Sequence, residues 1–597
     1  MTEPTRDDQP RKSRKGCFIA AGLAALAVAF AVGLLFVIGA FFSVIGAMAG
    51  GGDVVIAGDS ILELELFGTL PDAPPSVKLG ALFGGAGQLS LWELRRGLVE
   101  AAQDPRIRGV KVWIHNSFAG WASAEEVVTQ LDRFRESGKP VHVLLQADFI
   151  DDVDYFLATG GDRIWATPQA ASSINGLVAE AMFLRGALEK LHVEPDVIMY
   201  EEYKSAGEQF ASYEMSEPMR EALTAVITDM SERFAQRVTA RRSIDFAELD
   251  RLLARGVTPT DALVEAGLVD ELGFVDQVDE ALRVEAGMEE YRGVPFLRYV
   301  DSLGDDRRGG RRIAVVFGEG TIIAEPIDEA LPFFSAGLLS GPVVARHLRR
   351  ATDDDRVEAI LFRVNSPGGS PVGSDLVQRE VIRAQELGKP VIVSMGDVAG
   401  SGGYWVAMSA DEIVAQPTTI TGSIGVVFTR FDLDGFWEWL GINVETIETA
   451  PNADLLGFGT WTEADREAVL SWMDQTYEDF TRGVAEGRDI DHERVLEIAR
   501  GRIWSGEDAL GLGLVDQLGG LDAAIRRVRE IAGFEPDEDV PLVIYPQPKT
   551  LFQQLMEMSG GAASAATSVR DREALAGWAR LLARPRVQAL QPEIAVR

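Results

Sequence analysis

The chain has 597 residues, of which 46% are hydrophobic and 25% are charged, a composition typical of folded rather than disordered protein. This length exceeds what one hydrophobic core usually holds, so it predicts several domains. The formal net charge of -35 gives a surface that repels phosphate backbones, which argues against nucleic acid as a partner.

A long uncharged stretch lies near the N-terminus. It covers 17–48 and exceeds the roughly 20 residues that an α-helix needs to cross a bilayer. The segment 1–16 before it is basic, so the positive-inside rule predicts a cytoplasmic N-terminus, a single membrane anchor and an extracytoplasmic remainder. A cleaved signal peptide is the alternative, but its apolar region is normally about 7–15 residues long. Cys17, the single cysteine, excludes an intramolecular disulfide and a cysteine-rich zinc site.

Two copies of one sequence pattern follow. "DPRIRGVKVWIHNS" in the first copy matches "DDRVEAILFRVNS" in the second. Further matches occur in the same order, and the paired residues are Asn116 with Asn365, Pro140 with Pro390, Tyr155 with Tyr404, and Asp270 with Asp516. Four ordered matches at a nearly constant spacing indicate an internal duplication.

Within each copy, apolar strands alternate with amphipathic helices. "AILFRV" and "PVIVSM" are continuous apolar runs, and "SDLVQREVIRAQELG" between them has helical spacing. Such alternation predicts right-handed βαβ units and a parallel sheet, so each copy is predicted to be an α/β domain. The predicted order after the anchor is an N-terminal repeat (54–303), a C-terminal repeat (312–545) and a tail (546–597). The tail is either two amphipathic helices around a low-complexity stretch or a loosely ordered segment.

Ser401 lies in "GDVAGSGGYWVA", after a predicted strand and before two glycines, as a nucleophilic serine would. "NSPGG" follows the preceding strand, and its Gly368 and Gly369 expose backbone N–H groups. The N–H of Gly402, with that of Gly368 or Gly369, is predicted to form an oxyanion hole. The alternative is that both glycine-rich turns serve only tight connections between strands and helices.

A serine nucleophile needs a base, which is most often histidine. The C-terminal repeat has two histidines, His347 and His492, and both lie in sequence typical of solvated helix faces. Lys389 matches Lys139 of the first copy, which indicates a feature of the fold. The C-terminal repeat therefore has a candidate nucleophile and no candidate base.

The N-terminal repeat has the opposite deficiency. Asp152 stands where the second copy has Ser401, and "HNSFAGW" replaces the glycine turn. Lys204 follows a predicted strand in "YEEYKSAGEQF", and the corresponding stretch of the C-terminal repeat contains no lysine. Burial lowers the pKa of a lysine and makes it a competent base. The complementary losses favour Lys204 as the base for Ser401 over an ordinary exposed lysine.

"NSPGG", "GDVAGSGGYWVA", "TGSIGV" and "YKSAGEQF" together resemble the long, duplicated form of the signal peptide peptidase A (protease IV) family. "NSPGG" alone also occurs in Clp protease catalytic subunits. The resemblance implies two tandem crotonase/ClpP-like repeats and a serine endopeptidase with a Ser/Lys dyad, with Ser401 as nucleophile and Lys204 as general base. Ser423, in "TGSIGV", is a candidate for orienting the lysine, with a structural turn serine as the alternative. No cofactor is implied and no metal is expected, because the acidic runs lack a ligand pattern.

The resemblance also implies substrates, partners and a location. The substrates are signal peptides left in the membrane after cleavage, and the enzyme is a homotetramer whose dyads form between neighbouring protomers on the outer face of the cytoplasmic membrane. Two other functions stay open. A crotonase-type acyl-CoA enzyme requires an acidic group near the oxyanion turn, and an inactive membrane scaffold predicts a damaged serine or lysine motif.

Overall fold

The computed structural model describes residues 56–75, 88–304, 309–327, 337–450, 452–535 and 538–546, and the backbone of 586–590 and 595–596. The predicted anchor over 17–48 and the helices predicted within 547–585 lie outside the described residues. Every helix within the described ranges is too short or too polar to cross a bilayer.

The first half of the chain alternates strands and helices. Its strands are β1 (Ser60–Gly68), β2 (Ile107–Ser117), β3 (Val141–Leu145), β4 (Phe149–Ile150), β5 (Arg163–Ala166), β6 (Ala171–Ser172), β7 (Ala179–Glu180), β8 (Glu194–Met199), β9 (Thr258–Pro259), β10 (Glu271–Leu272) and β11 (Gly293–Pro295). Its helices are α1 (Leu91–Gln103), α2 (Trp121–Arg135), α3 (Asp152–Ala158), α4 (Arg185–Lys190), α5 (Glu208–Ala211), α6 (Glu217–Arg242), α7 (Phe246–Leu253), α8 (Thr260–Glu265), α9 (Val275–Glu285) and α10 (Phe296–Ser302).

Six of these strands form a parallel sheet in the order β10-β5-β3-β2-β1-β11. All five residues of β3 are buried, as expected for a parallel strand covered on both faces. The apolar runs of the sequence thus form the strands at the centre of this sheet.

The second half repeats this pattern. Its strands are β12 (Arg312–Glu319), β13 (Thr321–Ile323), β14 (Leu338–Ser340), β15 (Val357–Ser366), β16 (Gly368–Gly369), β17 (Val391–Gly400), β18 (Glu412–Ala415), β19 (Ile420–Gly422), β20 (Val427–Asp432), β21 (Ile503–Ser505), β22 (Gln517–Leu518), β23 (Leu542–Ile544), β24 (Arg586–Leu590) and β25 (Ala595–Val596). Its helices are α11 (Gly341–Asp353), α12 (Pro371–Glu386), α13 (Gly402–Trp405), α14 (Asp434–Trp439), α15 (Glu463–Arg488), α16 (His492–Ile498), α17 (Gly506–Gly511) and α18 (Leu521–Ile531).

The main sheet of this half contains β23-β12-β15-β17-β18-β22, all parallel, and β19 and β21 extend it beyond the end of β17. The six parallel strands have the order β11-β1-β2-β3-β5-β10 of the first sheet. Matched side chains make matched contacts, since the hydroxyl of Tyr155 donates to Leu268 O and that of Tyr404 donates to Leu514 O, each at 2.8 Å. The predicted α/β class with two tandem repeats is confirmed.

A third sheet joins the two repeats in the order β14-β13-β16-β24-β20-β8. β8 belongs to the N-terminal repeat and pairs antiparallel with β20 of the C-terminal repeat along its whole length. Because of this pairing, the residues that follow β8 lie against the C-terminal repeat. The strands β24 and β25 were not predicted from the sequence of the tail.

Polar contacts also hold the repeats together at the N-terminus of α2. The backbone N–H and the hydroxyl of Ser123 donate to the half-buried carboxylate of Asp397, at 2.8 Å and 2.6 Å. Nearby, Arg363 Nε donates to Asp72 Oδ1 at 2.8 Å, and both side chains are buried. Buried charges need such partners, so these contacts fix how one repeat lies on the other.

Candidate active site

Ser401 occupies a strained turn between β17 and α13. Its φ of 55° and ψ of -119° are rare for a residue with a side chain, and its N–H donates to Gly422 O at 2.8 Å. The turn packs closely on the preceding strand connection, because a Cβ on Gly403 would lie 2.4 Å from Ser366 O. The two glycines after Ser401 therefore allow the close packing that holds this residue in place.

The glycine turn after β15 lies beside Ser401. A Cβ on Gly402 would lie 3.1 Å from Gly369 N, so Gly402 packs directly against this turn. Gly402 is the first residue of α13, and its N–H therefore has no acceptor within the helix.

The two candidate glycines of this turn differ in what their N–H groups bind. The N–H of Gly368 donates to Ser366 Oγ at 3.2 Å. The N–H of Ser370 donates to Ile322 O at 2.8 Å, and because N–H groups alternate along an extended chain, that of Gly369 points to the opposite edge. The geometry favours Gly369 over Gly368 as the partner of Gly402.

Lys204 reaches the serine from the N-terminal repeat. Its Nζ lies 2.7 Å from Ser401 Oγ, 2.7 Å from Ser423 O and 2.9 Å from Ser423 Oγ. Lys204 is 1% exposed and Ser401 is 0% exposed. Burial holds the pKa of Lys204 well below its usual 10.5, and no charged neighbour among the described residues offsets this effect.

Ser423 arranges the hydrogen bonds of an uncharged Lys204. A carbonyl oxygen can only accept, so one N–H of Nζ must point to Ser423 O, and the hydroxyl of Ser423 can take the second. The remaining lone pair of Nζ then faces the hydroxyl of Ser401. Ser423 itself has a φ of 52°, and its N–H donates to Arg502 O at 2.7 Å.

The structure brings together the predicted residues Ser401, Lys204 and Ser423 within one chain. The β8–β20 pairing carries Lys204 to the serine of its own chain, whereas the resemblance implies pairing between neighbouring protomers, which stays a prediction. The two histidines of this repeat lie elsewhere: His347 is in α11, and Nε2 of His492 contacts Thr481 Oγ1 at 3.0 Å.

Two glycines that the sequence analysis did not single out enclose Lys204. A Cβ on Gly501 would lie 2.5 Å from Lys204 N, and one on Gly425 would lie 3.1 Å from Lys204 Cδ. Gly425 lies within "TGSIGV", a motif of the family resemblance, so the sequence could have indicated its role. Gly501 lies in "ARGRIW", which carried none.

The corresponding place in the N-terminal repeat holds carboxylates. Asp152 accepts from the N–H groups of Asn175 at 3.3 Å and Gly176 at 3.2 Å, and burial raises its pKa to about 6. Asp154 accepts from Ser117 N at 3.1 Å, and burial raises its pKa to about 7. Within the described ranges, no group of acidic, histidine or cysteine side chains could hold a metal ion.

The family model of Peptidase family S49 matches this chain twice, over residues 133–289 and 383–535. The chain belongs to peptidase family S49. The first S49 segment lies in the N-terminal repeat and contains Lys204, and the second lies in the C-terminal repeat and contains Ser401. The duplication seen in the sequence is thus a duplication of S49 domains.

Curated relatives agree with this assignment. The chain is 32% identical to "Serine protease SPPA, chloroplastic" of Arabidopsis thaliana over 84% of this chain and 74% of that protein. It is 31% identical to "Protease 4" of Salmonella typhi over 84% of this chain and 83% of that protein. "Protease 4" of Haemophilus influenzae is 30% identical over 76% of this chain and 75% of that protein. An S49 serine peptidase related to signal peptide peptidase A is therefore supported.

Proposed function

We propose that the protein is a serine endopeptidase that uses a Ser401/Lys204 dyad to degrade hydrophobic peptides, including cleaved signal peptides, at the cytoplasmic membrane. One observation carries this proposal: a buried lysine with a lowered pKa lies 2.7 Å from a serine held in a strained turn. A nucleophile with an adjacent, oriented base is the arrangement that acyl transfer requires.

In the proposed reaction, Lys204 Nζ takes the proton of Ser401 Oγ while Oγ bonds to the scissile carbonyl carbon. The carbonyl oxygen becomes an oxyanion, which accepts hydrogen bonds from the N–H groups of Gly402 and Gly369. Each such donor contributes about 3 kcal/mol to transition-state stabilisation.

The intermediate then collapses. The C–N bond breaks, and Lys204 gives its proton to the leaving amine. Water attacks the acyl-enzyme while Lys204 accepts a proton from it, and Ser401 regains its proton as the carboxylate product leaves. Ser423 keeps the lone pair of Nζ aimed at Oγ through both steps.

The gap between β16 and β20 suits an extended peptide. One strand, β24, lies in it and pairs antiparallel with Gly368 and Gly369 on one side and with Val427, Phe428 and Thr429 on the other. Two facing strand edges with room for one strand between them bind a peptide through its backbone, whatever its side chains. A substrate strand in this gap would pass its scissile carbonyl beside the glycine turn and Ser401.

The membrane location and the assembly complete the proposal. An anchor over 17–48 would place both repeats on the outer face of the cytoplasmic membrane, next to signal peptides left in the bilayer. A homotetramer with one dyad in each chain is the proposed assembly. An acyl-CoA enzyme is less well supported, because the described side chains that hydrogen-bond around Ser401 Oγ are an amine and a hydroxyl rather than a carboxylate.

An active-site serine probe and a hydrophobic peptide substrate test the proposal. The native protein should form a covalent adduct at Ser401 and cleave the peptide, whereas Ser401→Ala and Lys204→Met should do neither at a measurable rate. Ser409→Ala is the matched control, since Ser409 Oγ accepts only a hydrogen bond from Gln378 in the same region. Adduct formation that survives Ser401→Ala would overturn the assignment.

A further inference from the structure

β7 in the N-terminal repeat corresponds to β20 in the C-terminal repeat. The alignment that matches Asp152 with Ser401 also matches Ala179 with Phe428 and Glu180 with Thr429. Strand pairings just before these positions also agree between the repeats. β4 pairs parallel with β6, which pairs antiparallel with β9, just as β17 pairs parallel with β19, which pairs antiparallel with β21. β7 therefore has the position in the N-terminal repeat that β20 has in the C-terminal repeat.

One segment of the chain pairs with both of these strands. In the C-terminal repeat, Phe428 and Thr429 lie opposite Val587 and Arg586 in β24. In the N-terminal repeat, the matching Ala179 and Glu180 lie opposite Val596 and Ala595 in β25. Both pairings are antiparallel and use the same two positions of the duplicated strand. The tail thus supplies one strand to each repeat at the same position.

The surface beside β7 lacks the groups that are proposed to cleave the peptide bond beside the gap between β16 and β20. Asp152 stands in place of the nucleophile, and Phe118, Ala119 and Gly120 stand in place of the proline and two glycines of the oxyanion turn. Apolar side chains are exposed next to β7, where Val178 is 48% exposed and Met182 is 75% exposed. This surface can hold an apolar peptide, and at the position that matches the nucleophile it has Asp152 rather than a serine.

From this geometry we infer that β7 is a non-catalytic second subsite, which binds the part of an extended apolar peptide C-terminal to the bond that Ser401 cleaves. The inference rests on the proposed peptidase function. β24 ends at Leu590 opposite Gly368, and β25 begins at Ala595 opposite Glu180. Leu590 and Ala595 are five residue steps apart, which span at most about 18 Å. A substrate would therefore reach β7 about five residues beyond the cleaved bond.

A binding assay tests this inference without any need for catalysis. Full-length Ser401→Ala protein that also carries Val587→Pro and Val596→Pro, which weaken the pairing of its own tail with β20 and β7, is titrated with two labelled peptides. They are RVQALQPEIAVR, which has the sequence of 586–597, and its first six residues, RVQALQ. The longer peptide should bind at least tenfold more tightly. The same long peptide with N-methyl groups on its alanine and valine nearest the C-terminus should lose that advantage, because N-methylation removes the backbone donors that strand pairing needs.

Two protein variants locate the effect at β7. Glu180→Pro removes a backbone donor of the strand, and Val178→Lys replaces an exposed apolar side chain beside it. Each should weaken the long peptide about tenfold and leave the short one unchanged. Val284→Lys, at a residue that is 60% exposed on α9, is the control and should change neither.

Equal affinity of the Ser401→Ala protein for the long and short peptides would overturn the inference, as would an equal loss of affinity for both peptides in Val178→Lys. Neither result would affect the serine probe assay, which tests the peptidase function separately. Conversely, a tenfold advantage of the long peptide in a protein that no serine probe labels would leave the second subsite standing and remove the peptidase proposal.

Discussion

Gly501 lies directly against the backbone of Lys204. Its φ is +79°, and a Cβ at this position would lie 2.5 Å from Lys204 N and 2.6 Å from Lys204 Cα. Neither backbone can move away freely, because Gly501 N donates to Ile424 O at 2.8 Å and Tyr203 N donates to Arg500 O at 3.1 Å. The position of the lysine is thus set by a glycine at least a hundred residues from either dyad member.

Gly501→Ala should therefore displace Nζ from Ser401. A shift of about 1 Å in a catalytic group costs about 100-fold in rate, so kcat/KM for a hydrophobic peptide should fall by about that factor. Gly511→Ala is the control, since nothing lies within 4 Å of the added carbon. Full activity of Gly501→Ala would show that Lys204 does not depend on this contact.

The lowered pKa of Lys204 predicts how activity depends on pH. Only uncharged Lys204 can accept the proton of Ser401, so kcat/KM should rise with pH through the folded-state pKa of Lys204, well below 10.5. A pH–rate profile measures this directly. A rise only near 10.5 would contradict a desolvated base.

The same shift predicts that the stability of the protein, like its activity, rises with pH. Unfolded Lys204 binds its proton up to about pH 10.5, whereas the folded residue releases it at a lower pH, so wild-type stability rises with pH across that window. Lys204→Met removes the free-energy cost of burying an ionisable amine. Its melting temperature should exceed that of wild type at neutral pH, and the difference should shrink as the pH approaches 10.5. A melting difference that is independent of pH would contradict this account.

The buried ion pair between Asp72 and Arg363 predicts a large stability effect. Asp72→Asn leaves the Arg363 guanidinium buried without its counter-charge, which typically costs about 3–5 kcal/mol. Denaturant unfolding measures the loss. Glu497→Gln, which breaks the exposed pair of Glu497 with Arg494, should cost less than about 1 kcal/mol. Similar losses in the two variants would contradict the role given to burial.

Asp154 predicts that stability decreases as pH rises. Burial raises its pKa from 3.8 to about 7, so the folded state keeps a proton that the unfolded state releases above about pH 4. Asp154→Asn resembles the protonated form and can still accept from Ser117 N. It should be more stable than wild type by about 4 kcal/mol at pH 8 and close to it at pH 4. Asp250→Asn, at an exposed site, should show no such difference.

Mixed assembly distinguishes pairing within a chain from pairing between chains. Ser401→Ala and Lys204→Met proteins, assembled together, each lack one member of the dyad that the single chain forms. The mixture should therefore stay as inactive as either variant alone. Recovery of peptidase activity would show that lysine and serine come from different chains.

Much of the fold and part of the candidate site could be predicted from local sequence. Apolar strand runs and helical spacing predicted two parallel α/β repeats, and both sheets have the same strand order. The glycines around Ser401 and at 368–369 predicted close backbone packing, because only glycine tolerates such contacts. The contacts of Gly501 and the pairing of β24 could not be predicted, since both join segments that are distant in sequence.

The sequence by itself determined which residues are present in only one copy. Lys204 in the first repeat and Ser401 in the second are visible as complementary losses in a duplicated pattern. Only the tertiary structure decided that they meet within one chain, at 2.7 Å across a sequence separation of 197 residues. The physical reason is the antiparallel pairing of β8 with β20. The register of this pairing depends on the residues of both repeats, so the sequence of one repeat alone does not determine it.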